Sequence, residues 1–212
     1  DMEFELIEKK ENSCTFQLTS TSETKTKFPF EFVFQITYSV NENKLETHYK
    51  ITNPSHEKIY FSVGAHPGFN CPLTPNEKFE NYYLEFEANS FSQTQLNNGL
   101  RTDAKDNLKL EHQKLPIKKE LFDKDALVFE NNQIKSISLC SGASKHKITM
   151  QCKDWPYFGI WTKKDNDQFI CLEPWYGIAD HENSTNELNK KDGIIHLPAN
   201  KEFKAQFSLI FS

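Results

Sequence analysis

Arginine is nearly absent from this 212-residue chain: among 25 basic residues, Arg101 is the only one. Forked, bidentate recognition of phosphates and carboxylates relies on the guanidinium group, so a site built on that device is disfavoured. Positive charge as a whole is outweighed, with a formal net charge of -5 and no local basic patch. Nucleic acid and anionic membrane surfaces are therefore not expected partners. No apolar run approaches the roughly 18 residues of a membrane span, and no signal peptide opens the chain. The five cysteines are odd in number, lack any Cys-x-x-Cys spacing and sit in or beside apolar runs, as small buried hydrophobes do. A reducing, cytoplasmic setting is the simplest expectation. His-x-His pairs, a Gly-x-Ser-x-Gly elbow, a P-loop and a dinucleotide fingerprint are all missing, so no metal and no cofactor is expected.

Aromatic side chains are abundant instead: 18 Phe, 7 Tyr and 3 Trp, which favour pleated strands over helices. From Phe30 to Val40 the apolar residues fall on every second position, the period of a half-buried strand. Asn41-Glu42-Asn43 supplies a turn before Leu45, Thr47, Tyr49 and Ile51 alternate in the same way, so a hairpin is predicted. Phe203 to Phe211 repeats the pattern. Shorter strands are predicted near Glu3–Glu8, Cys14–Thr19, Ile59–Val63, Tyr82–Phe86, Leu127–Phe129, Ile134–Leu139, Lys147–Cys152, Tyr157–Trp161 and Phe169–Leu172. Lys118–Asp125 supports one helical turn and no more. The pattern predicts a single all-β domain over residues 1–212, a large antiparallel β-sandwich whose aromatic faces bury one another.

Two segments carry chemistry. In Gly64-Ala65-His66-Pro67-Gly68-Phe69-Asn70 a predicted strand ends on a His-Pro pair bracketed by glycines. Pro67 restricts His66 to extended backbone, and the glycines allow close approach of a ligand to the main chain. A histidine hydrogen-bonded in a tight turn is the competing reading. In Cys171-Leu172-Glu173-Pro174-Trp175-Tyr176-Gly177-Ile178-Ala179 one carboxylate stands among mostly apolar residues. Glutamate is seldom buried without a function, and desolvation against a positive partner would place its pKa where a general base needs it. A structural ion pair with a lysine is the alternative. Phe69, Trp161, Trp175 and Tyr176 lie close to these segments and are candidate platforms for the C–H faces of a pyranose, or else core. Asp125, and Asp123 beside it, precede a predicted strand and are candidates to accept from sugar hydroxyls or to cap a turn.

The Gly64–Asn70 and Cys171–Asp180 stretches resemble the signature segments of the aldose 1-epimerase (galactose mutarotase-like) superfamily, and in particular its LacX-like branch. Asn53-Pro54, Asp125-Ala126-Leu127-Val128-Phe129 and Phe158-Gly159-Ile160-Trp161 extend the resemblance over nearly the whole chain. The resemblance implies the family's large antiparallel supersandwich, Glu173 as general base, His66 as general acid and Asp125 at a sugar-binding position. The reaction it implies is interconversion of the α and β anomers of a hexose, free or phosphorylated. Relatives carry a further N-terminal portion with another sugar-binding histidine, so residues 1–212 are expected to be an N-terminally incomplete domain. Two other functions fit the same residues: a non-catalytic carbohydrate-binding module, and a glycoside hydrolase pairing Glu173 with Asp125.

Overall fold

The alternating aromatic runs do form strands, and antiparallel hairpins join most of them. The computed structural model describes residues 2–212. The first strands are β1 (Glu5–Lys9), β2 (Ser13–Thr19), β3 (Val33–Asn41), β4 (Lys44–Thr52) and β5 (Ile59–Phe61), with one helical turn, α1 (Ser22–Lys25), after β2. Next come β6 (Val63–Gly64), β7 (Gly68–Asn70), β8 (Tyr82–Phe86), β9 (Ser90–Asn97), β10 (Leu100–Lys109) and β11 (Lys114–Pro116). They are followed by β12 (Leu127–Phe129), β13 (Ser136–Ser141), β14 (Lys147–Gln151), β15 (Tyr157–Trp161) and β16 (Phe169–Tyr176). β17 (Ile195–Leu197) and β18 (Glu202–Phe211) close the chain. Among the described residues no helix is long and apolar enough to cross a membrane.

Two compact units result. The first comprises the chain up to Phe61 together with Ile195–Leu209. Its strands are ordered β1-β2-β3-β4-β18, and β5 pairs with β17. The turn predicted at Asn41-Glu42-Asn43 is present but tighter, with only Glu42, at φ 53°, and Asn43 outside the ladder, so that Asn41 stands opposite Lys44 in a regular nine-pair ladder. The predicted run is shortened at its start. At Pro29 the chain turns, Phe30 N–H donates to the Phe28 carbonyl at 2.8 Å, and the Phe28 ring meets Phe30 and Phe32 edge-on. These rings therefore pack on each other ahead of the strand, which begins at Val33. At the other end Val40 is half exposed beside the turn.

The second unit spans Ser62–Ile194 with Ile210–Ser212. One of its sheets runs β14-β13-β8-β11 and the other β10-β9-β12-β15-β16-β6, with β7 also on β16. Leu84, Phe86, Ile137, Leu139 and Met150 of the first sheet are buried, as are Phe91, Phe129, Phe158, Ile160, Ile170 and Leu172 of the second. Phe86 meets Phe91 at 5.0 Å between ring centres, so these inner faces form one sandwich core. Period two then decides the rest. With Ile170 and Leu172 committed to the core, Cys171, Glu173 and Trp175 must point out of the opposite face of β16. Tyr157, Gly159 and Trp161 on β15 share that outer face.

A second long hairpin, β9 with β10, was not expected from the sequence. Its polar composition hides the alternation, but its turn is Asn98-Gly99 with φ of 51° and 79°, the dipeptide that a two-residue turn with left-handed backbone demands. The single turn predicted near Lys118–Asp125 is found as a short 3-10 helix at Lys119–Phe122.

Candidate active site

Two prolines shape the centre of the site. β7 pairs with Phe169–Cys171 and β6 with Trp175 and Tyr176, on the same side of β16. Between them Ala65 N–H donates to the Pro174 carbonyl at 3.0 Å and Leu172 N–H to the Pro67 carbonyl at 3.3 Å. Neither proline has an N–H with which to return the second bond of its pair. The ladder is thus broken at Ala65-His66-Pro67, directly opposite Glu173. There the His66 side chain stands out from the chain, 61% exposed, with Nε2 3.3 Å from Glu173 Oε1.

Glu173 lies on the floor, 3% exposed. Burial pushes its pKa from the ordinary carboxylate range up to about 7, against the lowering effects of the His66 charge and a hydrogen bond from Trp175. A group held there is poised to exchange protons near neutrality. Trp161 meets the His66 ring edge-on at 5.8 Å and packs on Phe169, so the imidazole has an aromatic wall.

The Trp175 indole lies in a slot made by two glycines. A Cβ on Gly159 would stand 2.3 Å from its six-membered ring, and one on Gly64 would stand 2.8 Å from Cδ1. Both residues flank Trp175 on neighbouring strands, because Tyr157 pairs with Trp175 in β15 and Gly64 pairs with it in β6. Only a bare backbone on each side lets the indole lie down against the sheet, where its N–H reaches Glu173.

Around this pair is a cavity of about 640 Å³, within the roughly 300 to 1,000 Å³ of small-molecule sites. His66, Glu173, Trp161, Trp175, Tyr176 and Asp125 all line it, together with Leu96, Val128, Ile178 and Lys191. Every lining residue belongs to the second unit. Asp125 holds φ at 102°, a region L-residues rarely adopt, and its Oδ1 accepts from Ala126 N–H at 2.7 Å. Tyr176 offers its ring only, since its hydroxyl donates to the Asp154 carbonyl at 2.7 Å and its ring packs on Trp155. Phe69 does not take the expected platform position. It is 8% exposed and absent from the lining, because register sets it opposite core-facing Ile170. Asp123 does not line the cavity either.

Two features of the site were missed in the sequence. Lys191 reaches the cavity with its ammonium 2.6 Å from Asp180. Behind it, Arg101 ties down the wall formed by residues 177–192. Its Nε donates to the Ala179 carbonyl at 2.8 Å, Nη2 to Asp192 at 2.6 Å and Nη1 to Glu130 at 3.4 Å. Its main chain adds bonds from its own N–H to Asp180 O and from Glu182 N–H to its carbonyl. Burial would raise the Glu130 pKa, but hydrogen bonds from Lys105 and Thr94 and the charges of Lys105 and Arg101 hold it below the ordinary value. The solitary arginine in the composition was the available signal, but its partners are 29 to 91 residues away in sequence. Arg101→Met is expected to destabilise the protein in urea unfolding by about 1 to 3 kcal/mol, since Glu130, 15% exposed, loses one of its two cationic partners and the Ala179 carbonyl loses its donor. The Glu182 amide should also lose protection from hydrogen exchange. Unchanged protection there would mean that the wall is held by other contacts.

The chain matches the model of the aldose 1-epimerase family over residues 1–208. It is 35% identical over 199 residues to the chromosomal protein LacX of Lactococcus lactis subsp. lactis, covering 91% of this chain and 66% of that protein. It thus spans just under two thirds of the length of that curated relative. Among solved structures, a galactose mutarotase related enzyme from Lactobacillus acidophilus superimposes with a TM-score of 0.91 at 31% identity, over 100% of this chain and 71% of that one. A galactose mutarotase-like protein from Lactobacillus casei gives 0.88 at 28%, over 100% and 74%. Fold and sequence agree, and the chain belongs to the aldose 1-epimerase family.

Proposed function

We propose that this protein interconverts the α and β anomers of a hexose, with Glu173 as general base and His66 as general acid. The observation that carries the reading is a buried carboxylate with a pKa near 7, in contact with an exposed imidazole at the floor of a sugar-sized cavity. The contact limits how the pair can meet a pyranose, because it sets both groups on one side of the ring and not on opposite sides. At 3.3 Å they cannot enclose a ring. They can instead serve the two oxygens that both belong to C1, the anomeric hydroxyl and the ring oxygen, in a sugar laid across the pair.

In the productive state Glu173 is ionised and His66 is protonated. Glu173 takes the proton of the anomeric hydroxyl, and that oxygen's electrons form the C1 carbonyl. The bond from C1 to the ring oxygen breaks with its electron pair on oxygen, which receives the Nε2 proton of His66. Rotation about C1–C2 presents the other carbonyl face. Reclosure then returns both protons to their donors, so the protein is regenerated without a net change. Asp125, Trp161 and Trp175 supply a polar anchor and aromatic faces for the sugar.

Polarimetry of freshly dissolved α-glucose or α-galactose tests this directly. The protein should accelerate relaxation to the anomeric equilibrium over buffer alone, while saturable sugar binding without acceleration would overturn the proposal in favour of a binding module. The rate should follow a bell in pH. A doubly protonated pair lacks the base and a fully deprotonated pair lacks the acid, so activity rises as pH passes up through about 7, where Glu173 ionises.

A further inference from the structure

Cys171 is the one thiol beside the acid and base. It shares the outer face of β16 with Glu173, two residues away, and its sulfur packs near Gly68 of β7. Its Sγ, a ring nitrogen of His66 and a carboxylate oxygen of Glu173 all lie within 4.8 Å of one another. No metal-binding spacing appears in the sequence because the donors come from chain segments about a hundred residues apart.

We propose that His66, Cys171 and Glu173 bind a thiophilic divalent cation of the Zn²⁺ type, and that the bound ion silences the site by occupying its acid and its base. The donor set is one sulfur, one nitrogen and one oxygen, which suits zinc or cadmium and not magnesium or calcium, whose sites are built from oxygen. On a tetrahedral zinc such donors stand about 3.3 to 3.6 Å apart, the nitrogen–oxygen pair at the short end. The His66–Glu173 distance of 3.3 Å already meets this. The sulfur lies within 4.8 Å of both other donors, so a closure of roughly 1 Å completes the set; His66, 61% exposed, is the member freest to move, whereas Cys171 and Glu173 are each 3% exposed. Binding breaks the Sγ–H bond, releases that proton to solvent and gives the sulfur electron pair to the cation. One thiolate and one carboxylate then neutralise the divalent charge, so no net charge is buried. The fourth position faces the cavity, where a water completes the shell.

The binding half of this proposal stands without the anomer-exchange reading, and the silencing half rests on it, so the test reads them separately. Reduced protein titrated with Cd²⁺ should develop an ultraviolet thiolate-to-cadmium charge-transfer band that saturates at one ion per chain. The band should vanish in Cys171→Ala and persist in Cys14→Ser, which controls for the half-exposed thiol. His66→Asn should weaken binding by at least about tenfold, the usual minimum for disturbing a metal site. Because His66 is exposed, that variant also serves if Cys171→Ala fails to fold. In polarimetry Zn²⁺ should slow the protein reversibly, chelator should restore it, and Cys171→Ala should stay active and resist the ion. A missing band, or one unaffected by both variants, overturns the metal site. A band with wild-type relaxation at saturating metal overturns silencing alone. A band on a protein with no mutarotase activity leaves the metal site standing and removes the proposed function.

Discussion

Glu173→Gln is expected to reduce catalysed anomer exchange by about 100- to 10,000-fold, the contribution of a positioned proton-transfer group. Glutamine matches glutamate in shape and can still accept a hydrogen bond from Trp175, so the cavity and sugar affinity should survive. Polarimetry with calorimetry separates the two, and relaxation at the wild-type rate would remove Glu173 from the reaction. The same variant tests the burial of the carboxylate. Its folded pKa, about 7, lies above its reference value of 4.5. Between those values the folded state holds a proton that the unfolded state has released, so stability falls as pH rises through that window. The fall amounts to about 3 kcal/mol at one pKa unit per 1.36 kcal/mol, and glutamine has no such loss. Urea unfolding at pH 4.5 and pH 8 should show Glu173→Gln gaining on the wild type at the higher pH. A pH-independent difference would mean that Glu173 titrates as an exposed carboxylate.

Gly159→Ala should be nearly as damaging although it touches no substrate. Its methyl would occupy the Trp175 ring position at 2.3 Å, and the indole must move by more than 1 Å to relieve that contact. Displacement on this scale costs about 100-fold in rate where geometry controls proton transfer, and overpacking adds about 1 to 3 kcal/mol of destabilisation. Moving the indole also removes a hydrogen bond that lowers the Glu173 pKa. The acid limb of the pH–rate profile should therefore shift to higher pH, which a loss of stability alone would not cause. Trp175→Phe separates the two effects, since it removes the N–H without a clash and should reproduce the shift. If Gly159→Ala relaxes sugar at the wild-type rate with an unmoved limb, Trp175 has no part in positioning Glu173.

The fold was legible where alternation was strong. The β3–β4 hairpin and the terminal strand β18 follow from apolar residues at every second position, which local sterics convert into a face, and β16 from an unbroken apolar run at Phe169–Leu172. Legibility failed in β9 and β10, whose side chains are largely polar, and at Phe30, where a turn at Pro29 overrides an otherwise regular pattern. In the site, Glu173 stood out because a lone carboxylate in an apolar run demands an explanation. Trp161, Trp175 and Tyr176 were placed near it by adjacency and Asp125 by the family resemblance, and the cavity gathers them. Phe69 was included by the same logic, but its register turns it to the core. Arg101 and Lys191 were invisible as site elements because their contacts with Asp192, Ala179 and Asp180 are made to a loop, where no periodicity operates.

The sequence by itself determined the all-β class, the membership of the two proline-bearing segments in one family signature, and the shared strand face of Glu173 with Cys171 and Phe169. All three depend on residues within one strand's reach, so local chemistry specifies them. Tertiary structure alone decided that His66 touches Glu173 rather than facing it across a sugar, that the carboxylate titrates near 7, and that two distant glycines open the slot for Trp175. Those properties depend on which strands lie side by side and on how much water they exclude. Pairing between segments about a hundred residues apart settles both.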